Sequence, residues 1–437
     1  MVKILQVIVL AFIAFSAIAN SETVTDSVVL GSKYQNEVWY NMVTGFVKES
    51  DNSNWDLAFQ TSFGAGIHAN GSKGVRVWVV PDKTIDDFKT FSAKDTVGMA
   101  GSWKYYLNSE DTWNIGAFNL DLDGFANDDG DYGWGAYDMG SHFTVGTKLF
   151  VVKLNNTTYK KFYVEALAGE EFSFVYANLD GTDESLGKVA KKSFKGKNFG
   201  YFTLADAEAV DREPLSVDWH LVFGKYEVNY PTGDGGFMPY TVTGVRQNKG
   251  IRVAKVTGVA PETAEPIQWV EDNYFYKITT IGADWKTFNM TTGTYDTKQD
   301  WVYFLSNDSI QNLKPTIYRI YFTEFEGSAT GKIKFQKEAV PTSVIEKDGQ
   351  KLAVFSIYPS IINRGENISI AINNFSSLNN AKVEVISLEG NTVDSYDLNL
   401  SNSLVAYQSN NLNLLPGMYF VKVTIDNKIG MEKLIVK

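Results

Sequence analysis

Short apolar runs that alternate with polar residues recur along the whole chain, and few of them carry a helical period. Ile368, Ile370 and Ile372 alternate with Ser369 and Ala371, and Val383 and Val385 alternate with charged neighbours. Such spacing places every second side chain on one face of a pleated strand. Turn residues punctuate the runs, as at Pro416-Gly417, Gly390-Asn391 and Asn70-Gly71. Helical periodicity is weak, as at Asp86–Lys94 and Thr203–Val210. The fold class expected is all-β, antiparallel, with a few short helices.

Four runs recur in the same order. Asn54-Trp55-Asp56-Leu57-Ala58-Phe59 matches Asp218-Trp219-His220-Leu221-Val222-Phe223, and Gly74–Val79 matches Gly250–Lys255. Trp113–Asn119 matches Trp285–Asn289, and Thr147–Val152 matches Thr316–Tyr321. A hairpin inserted at Tyr230–Gly236 accounts for the difference in spacing. The pattern predicts an internal duplication, with tandem β units at 20–190 and 191–340 and Trp55 and Trp219 in equivalent core positions. A linker, 341–354, and a small Ig-like β-sandwich, 355–437, complete the expected organisation.

The two ends of the chain point outward from the cytoplasm. Met1–Asn20 has a basic Lys3, an apolar run from Ile4 to Ile18, and small residues at Ala17 and Ala19. This is the pattern of a signal peptide, residues 1–19, with the mature chain starting at Asn20. The apolar run is shorter than the about 20 residues a bilayer span needs, so no transmembrane helix is expected. The chain has no cysteine, which removes disulfides, thiolate metal sites, catalytic thiols and a lipidated N-terminal Cys. Its formal charge of −11 disfavours nucleic acid and anionic lipid as partners. Nucleophile elbows, zinc-protease motifs and phosphate-cradling loops are absent from the sequence. We read a non-enzyme.

The C-terminal tract resembles a known sorting signal. Tyr358-Pro359 opens it, Leu415-Pro416-Gly417-Met418-Tyr419 forms a turn, and Lys433-Leu434-Ile435-Val436-Lys437 closes it as a basic strand. These features resemble the type A sorting domain of the type IX secretion system, although Ser360-Ile361 departs from the family's Asn-Pro. The resemblance implies a partner, the type IX secretion machinery with its sortase, and a location that is secreted or attached to the outer-membrane surface. Trp39-Tyr40-Asn41, Thr44-Gly45, Asn54–Phe59, Asn70-Gly71-Ser72, Lys148–Leu154 and Tyr159 resemble the HmuY family over residues 30–180, with a weaker copy over 200–335. That resemblance implies an all-β exported protein that binds haem or a related planar ligand, taken up free or from a haem-carrying protein. The alternative is a structural or adhesive surface protein that uses the same fold without haem.

Three histidines are available: His68, His142 and His220. His and Met both suit haem iron. On the resemblance, the loop Tyr137–His142 is the ligand-bearing one, with His142 and Met139 as metal ligands and Met99 as a second axial candidate; the bland reading makes Met99 and Met139 core fillers. His68 reads as a hairpin-strand residue. His220 stands where the first copy has Asp56, which suits a structural hydrogen bond better than ligation. The acidic tract Asp121–Asp131 lacks the EF-hand spacing, with Phe125 at a ligand position. A solvated loop is expected there, and no calcium.

Overall fold

The computed structural model describes residues 23–119, 130–155, 157–233, 235–261, 264, 275–307, 317–340, 343–347, 350–358, 361–374, 380–400, 404–408 and 414–437. The expected signal peptide and most of the acidic tract lie outside these residues. Two compact units are present. One comprises Val24–Ser309 with Tyr318–Lys337, and the other contains Glu338–Lys437.

Four consecutive runs of chain build the larger unit. The first holds β1 (Val24–Val29), β2 (Asn36–Asn41) and β3 (Gly45–Asp51). The second holds β4 (Leu57–Gln60), β5 (Ile67–Ala69), β6 (Arg76–Val79), β7 (Tyr105–Tyr106), β8 (Gly135–Asp138), β9 (Phe143–Gly146), β10 (Phe150–Lys153), β11 (Tyr159–Ala168) and β12 (Glu171–Asn178). The third holds β13 (Ser185–Ala190), β14 (Phe199–Thr203) and β15 (Glu208–Val210). The fourth holds β16 (Leu221–Pro231), β17 (Phe237–Gln247), β18 (Ile251–Thr257), β19 (Lys286–Asn289), β20 (Thr294–Thr297), β21 (Trp301–Asn307), β22 (Ile317–Phe325) and β23 (Lys332–Val340).

These runs pair out of order. The second run takes its missing strands from the third, giving the sheets β13-β12-β11-β10-β6-β7, with β8 and β9 attached, and β15-β14-β4-β5. The fourth run takes its missing strands from the first, giving β1-β23-β22-β21-β18 and β17-β16-β2-β3. Apart from β7, β8 and β9, which have no counterpart in the five-stranded sheet, the orders correspond, and so does the register. Leu57 faces Ala69 and Phe59 faces Ile67 in one sandwich, while Leu221 faces Gln247 and Phe223 faces Val245 in the other. The N-terminal strands therefore close the C-terminal sandwich, with Val28 opposite Ile333 and Tyr40 opposite Leu221.

This arrangement corrects the expected boundary at 190/191. Strands on both sides of it share sheets, so residues 20–190 and 191–340 are not separate bodies. It also corrects one of the matched runs. Thr147–Val152 overlaps β10, which neighbours β6 and β11; its topological counterpart is β21, not β22. Adjacent buried strands share the same alternation, so pattern alone could not choose between them. The helical expectations fail for a related reason. Ser92–Thr96 and Thr84–Asp87 form only capped 3-10 turns, and Thr203–Val210 is the β14–β15 hairpin. Short polar stretches with Asp three residues after Ser or Thr satisfy each other locally without propagating a helix.

Inward residues fill each sandwich with aromatic rings. In the first, Phe59, Phe162, Phe174 and Phe202 pack with centroids 4.8 to 5.4 Å apart. In the second, Tyr40, Phe223, Phe322 and Phe335 do so at 5.2 to 6.2 Å. Trp55 and Trp219 share one further cluster with Trp39, Ala58, Phe199, Tyr201 and Val222, which joins the two four-stranded sheets. Both are core residues, as expected, at 8% and 3% exposure. Trp113 also belongs to that cluster, whereas Trp285 stacks on Phe322 at 4.2 Å inside the second sandwich, so this third match is not an equivalence.

The smaller unit is a sandwich of its own. One sheet is built from Ser343–Lys347, Gln350–Tyr358, Ser369–Asn374 and Leu404–Gln408. The other is built from Ile361–Ile362, Lys428–Val436, Gly417–Ile425, Asn380–Ser387 and Thr392–Asn399. The stretch expected as a linker, 341–354, supplies strand residues here, with Ile345 and Ala353 fully buried.

Candidate functional site

Met139 and His142 lie together on the β8–β9 hairpin, which pairs through β9 with β11. Gly146 allows that pairing, because a Cβ there would come within 1.7 Å of the Val164 carbonyl oxygen. At the tip, His142 adopts φ 61° and its N–H donates to the Asp138 carbonyl at 2.8 Å. The Asp138 carboxylate accepts from the Gly140 and Ser141 N–H groups and from the Ser141 hydroxyl. Hydrogen bonds from Ser141 hold its pKa below the ordinary carboxyl value. The hairpin tip is thus ordered from within. The Tyr137 hydroxyl and His142 Nδ1 are 2.9 Å apart, and Met139 is 82% exposed.

Met99 is elsewhere. It packs half-buried with Trp103 against Val80, Phe88, Phe91, Leu149 and Val151, on the outer face of the larger sheet. This matches the bland reading for Met99, and the opposite of it for Met139. Among the described residues no group of three or more His, Asp or Glu side chains converges as a metal-ion site.

His68 and His220 are buried structural residues. His68 bonds through Nε2 to the Trp113 carbonyl at 3.0 Å, and burial pushes its pKa down to about 3. His220 Nδ1 accepts the Met42 N–H at 3.2 Å. In the other sandwich the Asp56 carboxylate accepts the Leu204 N–H at 2.8 Å. The two sites are counterparts, since His220 N donates to the Tyr40 carbonyl and Asp56 N to the Phe202 carbonyl, both at 2.9 Å. His220 performs the acceptor role of Asp56 without its Lys73 partner, and burial lowers its pKa to about 4.

The most charged interior lies between the four-stranded sheets. Arg212 donates to the Glu37 carboxylate, to Asn54 Oδ1 at 3.1 Å and to the Asp51 carbonyl at 3.2 Å. Its guanidinium carbon is 5.0 to 5.5 Å from the ring centroids of Trp39, Trp55 and Tyr201. Arg246 donates to the other Glu37 oxygen at 2.9 Å and lies 4.7 Å from the Trp113 centroid. Glu213 accepts from the Asn198 and Phe199 N–H groups and from the Tyr201 hydroxyl, and burial pushes its pKa up to about 7. A cavity of about 40 Å³ is lined by Trp55, His68, Trp113, Glu213, Trp219 and Arg246. That is room for a few waters at most, and it does not fit a planar macrocycle. Sequence reasoning missed this cluster because Asp211-Arg212-Glu213-Pro214 reads as a solvated loop.

In the C-terminal sandwich the Tyr419 hydroxyl donates to the Leu415 carbonyl at 2.9 Å, which locks the Leu-Pro-Gly-x-Tyr turn. Comparison with known proteins bears on this unit. Residues 356–437 match the model of the secretion system C-terminal sorting domain. No curated protein sequence matches the chain. Among solved structures, dimeric latent PorU from Porphyromonas gingivalis aligns at 10% identity and TM-score 0.19, covering 92% of this chain and 34% of that one. A polysaccharide lyase aligns at 9% identity and TM-score 0.17, covering 89% and 40%. The chain therefore spans less than half the length of either, and at such TM-scores neither likeness bears on fold or function. The chain is all-β and ends in a secretion system C-terminal sorting domain, which marks it as an exported protein, secreted or held at the cell surface.

Proposed function

We propose that the chain is a binding protein delivered to the cell surface by the type IX secretion machinery, with residues 24–340 as the functional body. The observation behind this reading is the separate core of the sorting unit. Ile345, Phe355, Ile370, Val383, Val421 and Leu434 pack with one another within that unit. Cleavage by the sortase would then remove the tail without opening the sandwiches of the body. The N-terminal apolar segment fits the first step of the same route. Deleting residues 341–437 should leave the protein in the periplasm, and wild-type surface levels of the deleted form would refute the reading.

A second reading, haem or a related planar ligand, has one observation behind it besides the HmuY resemblance of residues 30–180. The Tyr137–His142 pair stands on an ordered, exposed hairpin beside Met139. The pairing occupies Nδ1, which leaves Nε2 as the ring nitrogen for iron. Haem would bring its own redox-active iron; His142 would hold it, with Met139 beside it. Met99 packs in another cluster, so a single protein ligand from this loop is the arrangement that fits. Hemin titration of the mature chain tests it. A Soret shift that is lost in His142→Ala supports the reading, and an unchanged hemin spectrum favours the structural or adhesive alternative.

A further inference from the structure

Four loops meet at one end of the larger unit, and hydrogen bonds tie them together. Thr61 N donates to the Asn198 carbonyl at 3.0 Å, and Ser216 N to the Gly196 carbonyl at 2.7 Å. Asn198 Nδ2 donates to Asn248 Oδ1 at 2.8 Å, and Asn248 Nδ2 to the Ser216 carbonyl at 2.7 Å. From these loops rise Phe63, which is 100% exposed, Val217 at 85% and Leu215 at 43%. The same loops concentrate positive charge. Lys191 Nζ donates to the Ser62 and Gly64 carbonyls, and Lys249 Nζ to the Ser62 hydroxyl. Neither ammonium is bonded to a carboxylate among the described residues. Lys192 and Lys195 are exposed beside them. Lys197 is matched by Asp211, and Asp218, Glu170 and the buried Glu213, which acts on Lys249, are the other carboxylates nearby. In a chain of net charge −11 this is a local reversal of sign.

We propose that this end of the molecule is a docking surface for a phosphate-bearing lipid membrane. Phe63, Val217 and Leu215 enter the headgroup region, and Lys191, Lys192, Lys195 and Lys249 lie over the phosphates. The shape decides between partners. A protein partner would need a concave receptor for each projecting side chain, whereas a lipid interface yields around convex loops. An apolar tip ringed by lysines also matches the two signals that stable peripheral binding requires, inserted area and attraction to anionic headgroups. The expectation from overall charge, that anionic lipid is disfavoured, concerns the average surface rather than this patch.

Co-sedimentation of the mature chain with vesicles tests the proposal. Phosphatidylcholine vesicles carrying a third phosphatidylglycerol should pull the protein down at low salt, and pure phosphatidylcholine should do so far less. Lys192→Gln with Lys195→Gln should lower the partition about thirty-fold, from about 1 kcal/mol per lysine near an anionic surface. Phe63→Ser should lower it roughly tenfold through lost apolar insertion. All three side chains are exposed, so thermal melts of these variants should match wild type. Equal binding to neutral and anionic vesicles, wild-type binding by both variants, or no binding to either vesicle overturns the proposal.

Discussion

Arg212 is where the two sandwiches depend most on a single side chain. Its guanidinium is buried among Trp39, Trp55 and Tyr201, and it fills an oxygen of Glu37, Asn54 Oδ1 and the Asp51 carbonyl. These groups lie in the first run of chain, which closes the fourth, and in the crossing from that run into the second. Arg212→Met keeps most of the apolar contact and removes all three hydrogen bonds. Breaking a buried ion pair on one side costs about 3–5 kcal/mol. Here Arg246 still bonds the other Glu37 oxygen at 2.9 Å, so the lower end, about 3 kcal/mol, is expected. At about 2–4 °C per kcal/mol for domains of a few hundred residues, the melting temperature should fall by roughly 6–12 °C. Lysine should not rescue it, because one ammonium cannot reproduce the planar fork that reaches three acceptors. Calorimetry of the mature chain, with Glu37→Gln and the double variant completing a cycle, measures the coupling. A cost below about 1 kcal/mol for Arg212→Met, or strict additivity with Glu37→Gln, would refute the reasoning.

His220→Ala should cost about 1–3 kcal/mol by leaving the Met42 N–H unpaired, whereas His220→Asn restores an acceptor and should cost less; urea midpoints decide, and equal loss in both would show that the bond to Met42 is not what matters. Glu213 has its folded pKa raised to about 7 by burial, so its protonated form favours the folded state. The stability it contributes is full below pH 4.5, the ordinary value, and is lost as pH rises through about 7. Relative to Glu213→Gln, wild type should therefore lose about 3 kcal/mol across that window, at about 1.4 kcal/mol per pH unit; parallel stability curves would contradict this. His68 and His220 act with the opposite sign. Their folded pKa values, about 3 and about 4, lie below the ordinary 6.5, so stability should fall as pH drops from about 6.5 toward 4 and be regained from that side in His68→Phe.

What the sequence made legible follows the range of the interactions involved. Alternation is local, so the strands around Trp55, Trp219, Ile370 and Val383 could be read directly, and so could the closed turn at Leu415–Tyr419. The correspondence of Asp56 with His220 was also legible, because both follow a Trp and precede a strand, and the structure gives them the same acceptor duty. Which strands pair was not legible. Val28 lies opposite Ile333, some three hundred residues later, and no local pattern records a partner at that distance. The same limit hid the charged centre. Arg212 and Glu213 look solvated in sequence, and only the meeting of β2, β14 and β17 encloses them.

This pairing scheme has a mechanical consequence. A protein with two self-contained tandem units could open one and keep the other. Here β1 and β2 belong to the last sandwich and are joined to β4 of the first through a short crossing at residues 52–56, and the third run carries the return connection. Pulling β1 away from β23 therefore exposes the edge of the last sandwich and drags on the groups that Arg212 pins at Asp51 and Asn54. Arg212 and its acceptors Asp51 and Asn54 stand at the two crossings, so opening of either sandwich loads the bonds between them.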